Sequence, residues 1–151
     1  MASNMRDAVA STCYPVTSCI AHRIGWLTMY RMGITHVTTT VRNLTGRGKG
    51  YTADFLVDTG AVDCLAPADV LRKAGIRPEG RAVYELANGQ PVEYDYGFAR
   101  VTFLGAETVT QIIFGPAECE PILGVVALEN TGVTVDPKTR SLSRMHAKPL
   151  K

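Results

Sequence analysis

The 151-residue sequence predicts an all-β fold with one or two short helices, and three observations carry the prediction. Fourteen glycines and eight prolines punctuate the chain. Many of the segments between them are rich in valine, isoleucine and threonine, residues that fit the pleated, half-buried surface of a strand. Two such segments flank Asn88-Gly89, the strongest short hairpin signal, because both turn positions must accept positive φ. The length suits one domain with a core that needs neither disulfides nor metal.

Taken in order, residues 34–44 (ITHVTTTVRNL) read as a strand, and residues 45–50 as a glycine-punctuated loop. Residues 51–57 form a second strand that delivers Asp58. A short apolar strand over 62–66 follows. Pro67 suits the first helical position, residues 68–74 continue the helix, and Gly75 ends it. Arg72 and Lys73 in the last turn complement the helix dipole. The hairpin follows, with Val83, Glu85 and Ala87 alternating with Tyr84 and Leu86. Its return strand is polar throughout and carries Pro91, so it reads either as a projecting edge hairpin or as a plain surface one. Gly97 interrupts the next run, and residues 98–104 and 108–114 pair about Gly105-Ala106. After the loop over 115–121 come Ile122-Leu123-Gly124, one or two helical turns over 125–130, and a strand, Asp-Pro turn and strand over 133–142.

The chemistry is concentrated in Phe55-Leu56-Val57-Asp58-Thr59-Gly60-Ala61. Three apolar residues run as a buried strand and stop at a carboxylate, a hydroxyl and a glycine. A carboxylate at the end of a buried strand is held rigidly. Thr59 can hydrogen-bond beside it, and Gly60 allows backbone, partner or substrate to approach closely. Alone, the tripeptide is also an ordinary turn.

Charge and cysteine usage narrow the function classes. The net charge of +2 sits in residues 1–31, which hold Arg6, Arg23 and Arg31 against Asp7; the remaining acids and bases balance. No basic stripe remains to bind nucleic acid. Cys13, Cys19, Cys64 and Cys119 lack CxxC spacing, and His22, His36 and His146 lack ligand spacing, so neither a metal centre nor a disulfide framework is expected. There is no membrane-span-length apolar run and no secretory leader pattern, which makes a reducing cytoplasm the default location. Residues 1–31 show no clean period and read as a poorly ordered leader ahead of a domain over 32–145, with 146–151 as a tail. A helix over 19–31 docked on the core is the structural alternative.

The Asp58-Thr59-Gly60-Ala61 stretch, the Asn88-Gly89 hairpin and Ile122-Leu123-Gly124, in that order, resemble the retropepsin-like aspartic proteases, most closely their small single-lobe bacterial members. The resemblance covers about residues 32–145. It implies a closed, barrel-like β-structure with the aspartate loop at its floor. Leu86, Ala87, Asn88, Gly89 and Gln90 form a flap over the cleft, and Ile122, Leu123 and Gly124 brace the aspartate loop. Asp58 is the single catalytic candidate. Asn130-Thr131-Gly132 has no carboxylate and follows a predicted helix. The resemblance therefore implies a homodimer that pairs two Asp58 side chains, hydrolyses a peptide or protein substrate and needs no cofactor. Thr59 then hydrogen-bonds across the interface, and Gly60 and Ala61 lie along the substrate backbone.

Two positions depart from the retroviral pattern. An acidic residue usually follows Asp-Thr-Gly-Ala, and an arginine usually follows the apolar-apolar-glycine triplet; here Val62 and Val125 stand there. Both charges are missing together, as expected when apolar contact replaces an ion pair. Asp63 remains as a substrate-contact or structural candidate. A non-hydrolytic peptide-binding module on the same fold is the alternative function. Deleting residues 1–31 is expected to leave folding and peptide cleavage intact, checked by circular dichroism and a cleavage assay on the truncated chain.

Overall fold

Burial alternates along the first two strands, as one-sided strands require. Strand β1 (His36–Arg42) buries Val37, Thr39 and Val41, and β2 (Tyr51–Asp58) buries Phe55 and Val57. The computed structural model describes residues 34–136, 138–139 and 141–145; the predicted leader over 1–31, its alternative helix and the tail over 146–151 lie outside them. After β2 come β3 (Cys64–Pro67), α1 (Ala68–Lys73), β4 (Gly80–Glu85), β5 (Pro91–Phe103) and β6 (Ala106–Gly115). The remaining elements are β7 (Ile122–Gly124), α2 (Val125–Thr131), β8 (Val133–Asp136) and β9 (Ser141–Arg144).

Seven strands hydrogen-bond in the order β1-β2-β7-β3-β6-β5-β4, and β1 also pairs with β5. That extra pairing closes six strands into a ring and leaves β4 attached to β5 alone. Strands β8 and β9 form a separate antiparallel pair. The barrel-like all-β class and the two short helices are thus as the sequence predicts. In the core, Phe55, Phe103, Ile112 and Leu123 of the strands and Leu71 of α1 are almost wholly buried. Each such side chain contributes roughly 1.5–3 kcal/mol by leaving water. The ion pairs, including Arg81 with Asp95 and Arg100 with Glu107, each have at least one exposed partner. Exposed pairs are weak, so the apolar core holds the ring.

Five local expectations change. Gly97 does not interrupt a strand: β5 runs straight through it on its pairing with β6, and the residue is glycine because the Arg77 carbonyl oxygen packs where a Cβ would stand. The glycine permits a close approach. At the hairpin tip, Gly89 has φ +80° but Asn88 does not have positive φ. Leu86 N–H donates to Gln90 O at 2.9 Å, and Gly89 N–H donates to Leu86 O at 2.8 Å. This is a three-residue loop ending in a left-handed glycine, so only one turn position needs positive φ. The β5–β6 turn is centred on Leu104 and Gly105, both at positive φ, one residue earlier than predicted. Pro67 closes β3 and is the cap of α1 rather than its first residue. The predicted strand over 62–66 shifts accordingly to 64–67.

Thr110, on β6, is buried, and its hydroxyl oxygen has no hydrogen-bond partner among the described residues. Thr110→Val removes that unsatisfied group and keeps the β-branched shape. The substitution should raise stability by about 1 kcal/mol, read as a higher urea midpoint at unchanged m value.

Candidate active site

Asp58 is the last residue of β2 and is half-buried. Its Oδ1 accepts the Gly60 N–H at 2.8 Å, and its carbonyl accepts the Ala61 N–H at 3.3 Å. A short polar side chain that bonds the backbone two residues on makes its own turn, which is why Asp-Thr-Gly ends the strand here. One carboxylate oxygen is thereby oriented by main chain alone.

The turn is locked from behind by β7. Leu56, Val57 and Asp58 pair in parallel with Ile122, Leu123 and Gly124, and Leu56 N–H donates to Pro121 O at 2.8 Å. The loop after Asp58 then crosses the start of α2. Val125 N–H donates to Ala61 O at 2.8 Å and Val126 N–H donates to Val62 O at 3.3 Å. The first N–H groups of a helix have no intrahelical acceptor, and α2 has no side-chain cap. The aspartate loop supplies the missing acceptors. Gly124 makes the crossing possible: a Cβ there would lie 2.5 Å from Asp63 O and 2.6 Å from Val62 O.

A groove of about 400 Å³ opens between this loop and the β4–β5 hairpin. Gly60, Ala61, Val62 and Leu65 line one side, and Val83, Leu86 and Tyr94 come from the hairpin. Asp63 and Tyr84 also line it, and both are held by Gln111 of β6. The Gln111 Nε2 donates to Asp63 Oδ2 at 2.9 Å and to the Tyr84 hydroxyl at 3.0 Å. Burial pushes the Asp63 carboxyl above its usual range, and the Gln111 hydrogen bond partly offsets this. Burial likewise raises the Tyr84 hydroxyl. Another cavity, about 300 Å³ beside Asn43, Arg77 and Phe98, contains none of the predicted site residues.

A sequence model described as aspartyl protease matches residues 44–126, more than half of the chain. The chain belongs to the aspartyl protease family. The EIAV protease, solved in complex with the inhibitor HBY-793, is similar at 16% identity with a TM-score of 0.54, over 73% of this chain and 99% of that one. The fold is therefore retropepsin-like. A retropepsin-like aspartic protease from Rickettsia conorii is similar at 22% identity and a TM-score of 0.43, over 70% of this chain and 87% of that one. No curated protein sequence matches.

Within this aspartyl protease the predicted residues do not all converge. Asp58, Thr59, Gly60 and Ala61 lie together, with Ile122, Leu123 and Gly124 paired alongside the strand that ends at Asp58. Thr59 is exposed on a single chain. Of the five predicted flap residues only Leu86 lines the groove; Ala87, Asn88, Gly89 and Gln90 are exposed at the tip. Asn130-Thr131-Gly132 ends α2, where the buried Thr131 hydroxyl donates to Ala127 O and Leu128 O. No group of three or more His, Cys, Asp or Glu side chains among the described residues is arranged to hold a metal. Gln111 and Tyr84 were not singled out from the sequence. Each sits in a strand-like run; the parallel register of β3 with β6 sets Gln111 beside Asp63, and the pairing of β4 and β6 with β5 brings Tyr84 to Gln111.

Gly124→Ala is expected to force the aspartate loop away from β7. The variant should lose about 2 kcal/mol of stability, within the usual range for overpacking a tight core, measured by urea unfolding.

Proposed function

We propose that the protein is an aspartic endopeptidase active as a homodimer, with one Asp58 from each subunit. The observation that carries the reading is the Asp58 carboxylate, fixed by the Gly60 N–H at the end of a braced strand whose following residues, Gly60 and Ala61, line the groove beside the hairpin. One lobe supplies one such carboxylate, so a two-fold axis must supply the other. The exposed Thr59 would then find its partner across that axis. Val62, 63% exposed on a single chain, and the half-buried Val125 would add apolar contact where the retroviral members carry an ion pair.

Two carboxylates in hydrogen-bond reach share one proton, because both cannot readily ionise side by side. The ionised Asp58 takes a proton from a water as its oxygen bonds to the peptide carbonyl carbon. The protonated Asp58 donates to the developing oxyanion. As the tetrahedral intermediate collapses, the Asp58 that took the water proton passes it to the leaving nitrogen, the other Asp58 takes a proton from a hydroxyl of the intermediate, the C–N bond breaks, and the pair again holds one proton. Leu86 and the exposed tip over 87–90 would close over the peptide as a flap. The setting we propose is the reducing cytoplasm, on the cysteine spacing of the sequence, which offers no disulfide framework. No described helix is long and apolar enough to cross a membrane.

Asp58→Asn should lower kcat/KM on a peptide library by about 10³-fold or more, followed by mass spectrometry. The wild-type rate should be bell-shaped in pH and its specific activity should fall on dilution as dimers separate. Cleavage that survives Asp58→Asn, or an active protein that is monomeric at every concentration, would sink the reading. Peptide binding without turnover at any pH would favour a non-hydrolytic module.

A further inference from the structure

The groove has a chemical bias beyond its shape. Apolar walls of Val62, Leu65, Val83 and Ile113 surround one half-buried carboxylate, Asp63. Gln111 fixes Oδ2 of that carboxylate, and Asp63 enters no ion pair among the described residues. The other charged residue in the lining is Glu85, and neither lysine nor arginine lines the groove. A purely apolar side chain filling this space would strip water from Asp63 and return nothing, a costly burial for a charge. A long basic side chain would lay its methylenes on the apolar walls and bring its cation to the carboxylate.

We infer that this groove is a specificity subsite for a lysine or arginine side chain of the substrate peptide, with Asp63 as the specificity-determining residue. The inference rests on the proposed peptidase function. Gln111 is the positioning residue: it holds the carboxylate against the groove wall and links it to Tyr84 of the hairpin. The raised pKa of Asp63 agrees with a carboxylate that lacks a cation in the free protein.

The test is a positional peptide library cleaved by the full chain, each position carrying lysine, arginine, norleucine, acetyl-lysine or glutamate. At one position relative to the scissile bond, lysine and arginine should raise kcat/KM about tenfold over norleucine and acetyl-lysine, the size of one charge-assisted contact. Asp63→Asn should bring the lysine-to-norleucine ratio to about one. If Asp63→Asn does not fold, the acetyl-lysine comparison in the wild type still decides, because it keeps the stem and removes the charge. Asp58-dependent cleavage with no basic preference at any position overturns this inference and leaves the peptidase reading intact. A preference that persists in Asp63→Asn overturns it as well. Absence of cleavage sinks the peptidase reading instead. Equilibrium binding of the lysine and norleucine peptides to the Asp58→Asn chain then decides the subsite, and equal affinities overturn it.

Discussion

The parallel pairing of β2 with β7 is the constraint on which the rest of the molecule depends. It places Asp58 beside Gly124, at the one point where the chain can cross the start of α2 with no side chain in the way. Three demands meet there. A strand must end, a helix must find acceptors for its first N–H groups, and a carboxylate must be held without a cation. The loop over 58–63 meets all three with backbone atoms, since Asp58 takes the Gly60 N–H while Ala61 and Val62 give their carbonyls to α2. Because main chain does the holding, the side chains on the outer surface of the loop remain available for a partner or a peptide.

The ring gives this loop a rigid base and the groove a far wall. Strand β3 touches both β7 and β6, through Leu65 with Ile122 and through a parallel register with residues 112–115. The aspartate loop is therefore tied on one side to β7 and on the other, through Asp63 and Gln111, to β6. The hairpin is anchored differently. Its strand β4 pairs only with β5, and beyond that pairing its Tyr84 hydroxyl meets Gln111. A hydrogen bond from a side-chain amide is worth about 1 kcal/mol net, far less than a strand pairing. The hairpin is accordingly held firmly at its root and lightly over the groove.

The fold class and the aspartate turn were legible in the sequence because local chemistry decides them. Alternation chose the faces of β1 and β2, and Asp58 forms its own turn with Gly60, two residues away. Gly97 was misread because a glycine required by a close approach looks the same in sequence as a glycine that ends a strand; the deciding neighbour, Arg77 O, is brought there only by tertiary packing. Gln111 gave no sign of its importance for the same reason. Its partners lie 48 and 27 residues away along the chain. Of the flap residues, Leu86 was recoverable as the apolar member of a polar tip, whereas the contacts of Val83, Tyr84 and Tyr94 depend on how far the hairpin leans over the loop.

Strand β5 belongs to two structures at once. Its first half carries the hairpin against β4, and its second half closes the ring against β1 and β6, with Tyr96 paired to both Gly80 and Ile113 where they meet. The two halves share one side-chain phase. Insertion or loss of a single residue within β5 would turn every later side chain to the opposite face and drive Val101 and Phe103 out of the core. The tip over 87–90 carries no such constraint on its length. Over evolutionary time the hairpin should therefore change by lengthening or shortening at its end, while the strand beneath it admits substitutions but no change in register.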